Sequence, residues 1–233
     1  MAPETAIEDE AFEPGKQLPR GRHGLPREKV TESQRARIIQ AMIDSVAERG
    51  YQETRVVDVV EGAGVSRATF YDLFDDMEDC FLATYDHVSA RLFEAASAAY
   101  DARSDAQWAA RIRAGMAAFL KLLAQWPEGA RLAIVEVLAA GPKALVRRDA
   151  VLRQLAELVD AGRSESSLEL PGFTSIGIVG GIEELLYSEV LHGATARLPA
   201  RLPDIVYWIT QPFVGAEAAA AERERARESL SEG

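Results

Sequence analysis

The chain has 233 residues, 48% of them apolar, and a formal net charge of −11, so it has room for one large or two small domains and for a real core. Its single cysteine, Cys80, excludes an internal disulfide and suits a reducing compartment, while the lack of an apolar run of ~18 residues and of an apolar leader predicts a cytoplasmic protein with no membrane segment. The negative charge argues against nucleic acid only until its distribution is considered: residues 1–15 hold five acids and no base, residues 16–74 hold ten bases against eight acids, and residues 16–29 hold five bases and one acid. An acidic body with a basic end remains compatible with DNA, because phosphates respond to the local field.

In chain order, residues 1–30 lack apolar periodicity and read as a flexible arm, basic from residue 16. Thr31 and Gln34 form a T-x-x-Q capping pattern, which predicts a first helix from Thr31. Ile38, Ile39, Met42, Ile43 and Val46 share its stripe, and Gly50 ends it. Thr54 is the expected cap of a second helix bearing Val56, Val57, Val59 and Val60. The segment Ala63 to Phe74, AGVSRATFYDLF, reads as a tight turn at Gly64 and a short helix capped by Ser66. Arg67, Ala68, Thr69 and Tyr71 then face outward, the make-up of a helix-turn-helix whose second helix enters a major groove.

Asp75 and Glu78 predict the start of a long fourth helix carrying Phe81, Tyr85, Val88 and Leu92. A fifth helix opens at Asp105 and places Trp108, Ile112, Met116, Phe119 and Leu123 on one face. Pro127 begins a sixth, closed by Gly141 and Pro142. A seventh spans about 143–161, an eighth about 174–192 and a ninth about 203–214. Residues 216–233 carry little apolar face and predict a frayed polar tail. No strand is expected, so the fold class is all-α.

Thr31 to Tyr85 closely resembles the DNA-binding domain of TetR/AcrR-type transcriptional regulators. The Ile-rich first helix, the Glu48-Arg49-Gly50-Tyr51 corner, Thr54 and AGVSRATFYDLF carry that resemblance. The preceding PRGRHGLPREKV looks like the basic arm of an actinobacterial-style subgroup. The resemblance implies a helix-turn-helix domain over 31–78 and a long helix leading into a helical ligand-binding and dimerisation domain over 79–215. It implies a homodimeric repressor on a palindromic double-stranded operator. Arg67, Ala68, Thr69, Tyr71 and Ser66 would serve the reading helix. Thr54, Tyr51, Arg20, Arg22 and Arg27 would serve phosphates or a minor groove, with His23 nearby. A small apolar or aromatic effector is expected among Trp108, Met116, Phe119, Trp126 and Tyr187.

The dimer face is expected at Ile178, Ile182, Leu185, Leu186, Val206, Trp208, Ile209 and Phe213, with Gly180 and Gly181 marking a close helix crossing. No cofactor is implied. His87 and His192 show no metal-ligand spacing, and no nucleophile elbow, P-loop or dinucleotide fingerprint is present. One departure stands out: Met77 occupies the place where the family usually has a lysine, among Asp75, Asp76, Glu78 and Asp79. That leaves two alternatives open, a small-molecule binding protein with a vestigial helix-turn-helix and, less favoured, an all-α enzyme.

Overall fold

A computed structural model describes residues 26–104 and 106–231 of the chain. Arg20, Arg22, His23 and most of the arm lie outside the described residues, as does Asp105, the expected start of the fifth helix. The described residues form α1 (Arg27–Arg49), α2 (Val56–Ala63), α3 (Arg67–Leu73), α4 (Met77–Asp101), α5 (Trp108–Gln125), α6 (Pro127–Ile134), α7 (Pro142–Asp160), α8 (Thr174–Leu191) and α9 (Leu202–Ser231), with short 3-10 turns at Glu136–Ala139, Ala161–Glu165 and Thr195–Arg201. No strand occurs among them.

The first helix starts at Arg27, four residues before the expected cap. Pro26 precedes it, and the Thr31 hydroxyl donates to the Arg27 carbonyl at 3.0 Å instead of capping. Pro26 presets a backbone that enters a helix readily, and Arg27 becomes an exposed first-turn residue. The apolar stripe behaves as its spacing requires: Ile38, Met42, Ile43 and Val46 are buried and pack with Val59, Val60 and Phe70.

The N-terminal unit is tied to the rest through α4 and α6, both of which pack on α1. Helices α4 and α5 lie closest where Gly115 meets α4. A Cβ there would fall 2.9 Å from the Ala96 carbonyl oxygen, below normal contact, so the glycine allows the approach.

The C-terminal segment differs from the expected frayed tail. Gly215 adopts φ 84°, ψ 167° inside α9, a conformation open to glycine, and the chain folds back there. Ala219, Glu222 and Ala226 are buried. Arg113 of α5 holds Glu222 at 2.9 Å, and Arg223 reaches Asp204 on the first arm of α9 at 2.5 Å. A small-residue stripe needs little apolar area when a buried ion pair and a close neighbour complete the contact.

Candidate functional site

The reading helix depends on a turn built from three local features. Gly64 sits in the left-handed region, φ 61°, ψ 40°, so the chain reverses without steric penalty. The Arg37 guanidinium on α1 donates to the Ala63 carbonyl at 2.8 Å, holding the turn against the first helix. Ser66 accepts the Thr69 N–H at 3.0 Å as a true N-cap, and its hydroxyl shares a 2.9 Å bond with the Thr69 hydroxyl. Phe70 anchors the helix from below, fully buried, edge-on to Tyr71 and 5.7 Å between centroids from Phe74. Arg35 lies over the Phe74 ring, 4.7 Å from its centroid.

That arrangement leaves Arg67 and Ala68 exposed and Tyr71 57% exposed on one side of α3. Arg67 makes no ion pair or hydrogen bond among the described residues. A free guanidinium, a small methyl and a phenol on one short helix are the chemical groups that bidentate guanine pairing, thymine-methyl contact and phosphate donation require. The Thr69 hydroxyl is partly engaged with Ser66, so its methyl is the freer group.

Two expected contacts are corrected. Thr54 is buried and donates its hydroxyl to the Gly50 carbonyl at 2.8 Å. It neither caps α2 nor presents itself to a phosphate. The α2 start is held instead by Asp58, which accepts the Arg55 N–H at 2.9 Å and pairs with Arg49 at 3.2 Å. Likewise α4 begins one residue later than the Asp75–Glu78 pattern suggests: Asp76 accepts the Asp79 N–H at 2.8 Å and Asp79 accepts the Asp75 N–H at 3.2 Å. Tyr51 packs on Phe81, centroids 4.5 Å apart, and burial together with Glu78 and Asp76 raises its hydroxyl pKa.

The acids around Met77 have local roles. Asp76 and Asp79 serve backbone donors, favourable at a helix N-terminus. Glu78 is paired with Lys143 of α7 at 2.6 Å, and that bond raises the lysine's pKa. One turn on, Arg147 pairs with Asp86. Helix α7 thus brings two cations to α4, Lys143 at the first turn of α4 and Arg147 two turns further along it. Cys80 is fully buried beneath this turn and burial pushes its thiol up to about 12, so it packs and does not react.

A second contact joins the halves. Glu136, buried on the turn after α6, accepts the Tyr51 N–H at 2.9 Å and pairs with Arg131 at 2.8 Å. Gly50, φ 82°, leaves the room: a Cβ there would stand 3.3 Å from Glu136 Oε2.

Beyond the reading head, α4 to α9 enclose a cavity of about 120 Å³. Of the expected effector residues, Met116 and Phe119 line it. Trp108, Trp126 and Tyr187 do not. Trp108 is buried against Phe213 and Gly162 and donates its indole N–H to the Leu158 carbonyl at 3.0 Å. Trp126 covers Gly129 and carries Arg91 over its ring at 4.4 Å. The lining that sequence reasoning missed includes Tyr85, Ser89, Leu152, Arg148 and Glu183. The signal was present in part: Tyr85, Ser89, Leu92 and Ala96 recur at three- and four-residue intervals along one face of α4.

The expected dimer face is also corrected. Ile178, Ile182, Leu186, Val206, Ile209 and Phe213 are buried inside this chain, and Leu185 is half-buried. Helices α8 and α9 spend that stripe on α5 and α7. Of the set only Trp208 is open, 45% exposed, resting on Gly181, where a Cβ would fall 2.5 Å from its ring. Ile176, Gly180 and Leu191 share the outer side of α8.

Among known proteins, the profile of bacterial regulatory proteins of the tetR family matches residues 38–84. No curated protein matches the chain. Solved structures share its fold. The fatty acid degradation regulator FadR from Bacillus halodurans is 19% identical, aligned over 76% of this chain and 94% of its own, TM-score 0.67. FadR from Bacillus subtilis, solved in complex with stearoyl-CoA, is 19% identical over 75% and 96%, TM-score 0.64. A TetR-like transcriptional regulator from Rhodococcus sp. RHA1 is 18% identical over 82% and 99%, TM-score 0.61. The matched segment runs from within α1 to within α4, across the helix-turn-helix unit, so residues 38–84 resemble the tetR-family DNA-binding domain and the helical body shares its fold with these solved structures.

Proposed function

We propose that this protein is a cytoplasmic, ligand-responsive repressor that binds an inverted-repeat operator as a homodimer. The observation that carries the reading is α3. Its outward side presents Arg67, Ala68 and Tyr71, and the Ser66 cap and Arg37 fix it without using them. Residues 16–25 of the basic arm would add phosphate contacts on the same DNA. The vestigial reading is weakened, because three of the four acids flanking Met77 — Asp76, Glu78 and Asp79 — are engaged as caps or ion-pair partners.

The dimer would use the outer side of α8 and α9: Ile176, Gly180, Trp208 and Leu191. Gly180 provides the test, since an added Cβ meets nothing within 4 Å. Gly180→Arg therefore leaves the monomer intact, or steadies α8 by up to ~1 kcal/mol, while placing a charge in the interface. Light scattering is expected to give a dimer for the wild type and a monomer for Gly180→Arg. The variant's affinity for an inverted-repeat duplex falls at least tenfold. A monomeric wild type, or a variant that still dimerises, contradicts the assignment.

The effector would occupy the cavity among α4 to α9 and act by changing how the reading heads are held. FadR from Bacillus subtilis was solved with stearoyl-CoA. The cavity here, about 120 Å³, is smaller than the ~150 Å³ engineered cavity that takes benzene, so as it stands it holds a short group. A chain as long as stearoyl would require the helices to part.

A further inference from the structure

One end of the cavity is polar. Arg148 of α7 donates Nε to Glu183 Oε1 of α8 at 2.9 Å and Nη2 to Oε2. From α4, Tyr85 and Ser89 line the same end, with the Tyr85 hydroxyl close to Ser89 and within the field of both Arg148 and Glu183. The other lining residues are almost all aliphatic or aromatic, among them Leu92, Ile112, Met116, Leu152 and Leu155. The polar corner carries no net charge, because the guanidinium and carboxylate are closed on one another. It still has capacity: the Arg148 Nη1 donors have no partner among the described residues, and the Glu183 oxygens keep lone pairs free.

Both members of the pair are largely withdrawn from water, with 27% and 11% of their side chains exposed. An anionic head entering here would draw Arg148 away and set two carboxylates together in a dry corner. A cationic head would take Glu183 and strand Arg148. Either outcome leaves a charge without its partner, which is costly away from water. A neutral head needs no such exchange, since Arg148 Nη1 donates to its oxygen and Glu183 accepts from its O–H or N–H. Burial already holds the Glu183 carboxyl above its ordinary value despite the arginine beside it.

We propose that this cavity takes a small uncharged amphiphile, an aliphatic body of about four or five carbons whose hydroxyl or amide head is read by Arg148, Glu183, Tyr85 and Ser89. The inference rests on reading the cavity as the effector site. It adds head-group selection to that reading.

The test is calorimetry on the purified full chain without DNA at pH 7, with pentanamide, 1-pentanol, pentanoate and pentylammonium. Pentanamide and pentanol are expected to bind at least tenfold more tightly than either charged member. Glu183→Gln, which frees Arg148, is expected to raise pentanoate affinity at least tenfold and remove the preference. Leu152→Trp, which fills the cavity, abolishes binding of all four. Pentanoate or pentylammonium binding the wild type as tightly as pentanamide overturns the proposal. So does the absence of binding by all four up to millimolar concentration, or binding that survives Leu152→Trp. Should Glu183→Gln fail to fold, the wild-type series decides alone. No DNA is present, so failure here leaves the operator reading standing, and failure to bind an operator leaves this result standing.

Discussion

Replacing Phe70 by Ala is expected to cost about 3–5 kcal/mol and to abolish operator binding. Phe70 is fully buried and is the one buried residue of α3. Deleting it removes the transfer energy of a whole ring and leaves a void that its neighbours Tyr71 and Phe74 fill only in part. Helix α3 has seven residues, too few to persist without packing, and Phe70 is its one fully buried side chain, so the Gly64 turn and the Ser66 cap hold the helix in place only with that anchor. The long helices α4 to α9 keep their own core, and the loss should fall on the reading head. Urea unfolding measures the stability change, and hydrogen exchange at Arg67 to Leu73 locates it. Phe70→Leu, which keeps most of the volume, is expected to lose less than half as much and to retain operator binding. An unchanged unfolding midpoint in Phe70→Ala would show that α3 is held by something other than this contact.

The second large effect is expected at Glu136. Its carboxylate accepts the Tyr51 N–H and pairs with Arg131, bridging the end of α6 to the corner between α1 and α2. Ala133 and Ile134, three and two residues earlier, line the cavity. A group that swells the cavity therefore acts on the same short element that holds the corner. Removing a charged, buried acceptor typically costs about 1.5–3 kcal/mol. Arg131 is partly exposed, which limits the penalty of leaving it unpaired. We expect Glu136→Ala to lose about 2 kcal/mol in chemical denaturation. Glu136→Gln, which keeps an acceptor for Tyr51, should lose less. The diagnostic readout is linkage: operator affinity with and without effector should differ several-fold less in Glu136→Ala than in the wild type. A stability loss with the ratio unchanged would make Glu136 a structural prop and nothing more.

Much of this architecture was legible in the sequence because it is local. The left-handed Gly64 and the Ser66 cap depend on residues only a few positions apart, and the structure realises both; the Arg37 bond that holds the turn comes from 26 residues earlier. Pro127 at the start of α6 is also a local signal. Errors by one or a few residues arose where two caps competed: Asp76 over Asp75, Asp58 over Thr54, Pro26 over Thr31. A capping side chain must also point correctly, which its type alone does not fix.

The larger errors were of another kind. Periodicity identified the stripe Ile178, Ile182, Leu186, but not whether it meets a copy of the chain or the chain's own α7. The tail 216–231 looked too poor in apolar residues to pack. Its contact depends on Arg113, more than a hundred residues earlier, reaching Glu222. Trp108 looked like a ligand residue because large aromatics line pockets, yet Leu158 and Gly162 close around it. Arg148 and Glu183 were invisible as a site, since a charge in an apolar helix reads as a surface residue until the opposite helix supplies its partner.

The central claim is that α3 reads DNA as one of a symmetric pair. The most direct measurement is in vitro selection from a random duplex library with the full chain, at two salt concentrations and with Arg67→Ala in parallel. The account predicts enrichment of an inverted repeat whose half-site centres lie one helical turn or a multiple apart, about 34–36 Å per turn. Affinity should fall steeply with salt, and Arg67→Ala should relax preference at one base pair of each half-site, worth about 1–3 kcal/mol. No enriched sequence from the wild type, or an identical motif at identical affinity from Arg67→Ala, would contradict it.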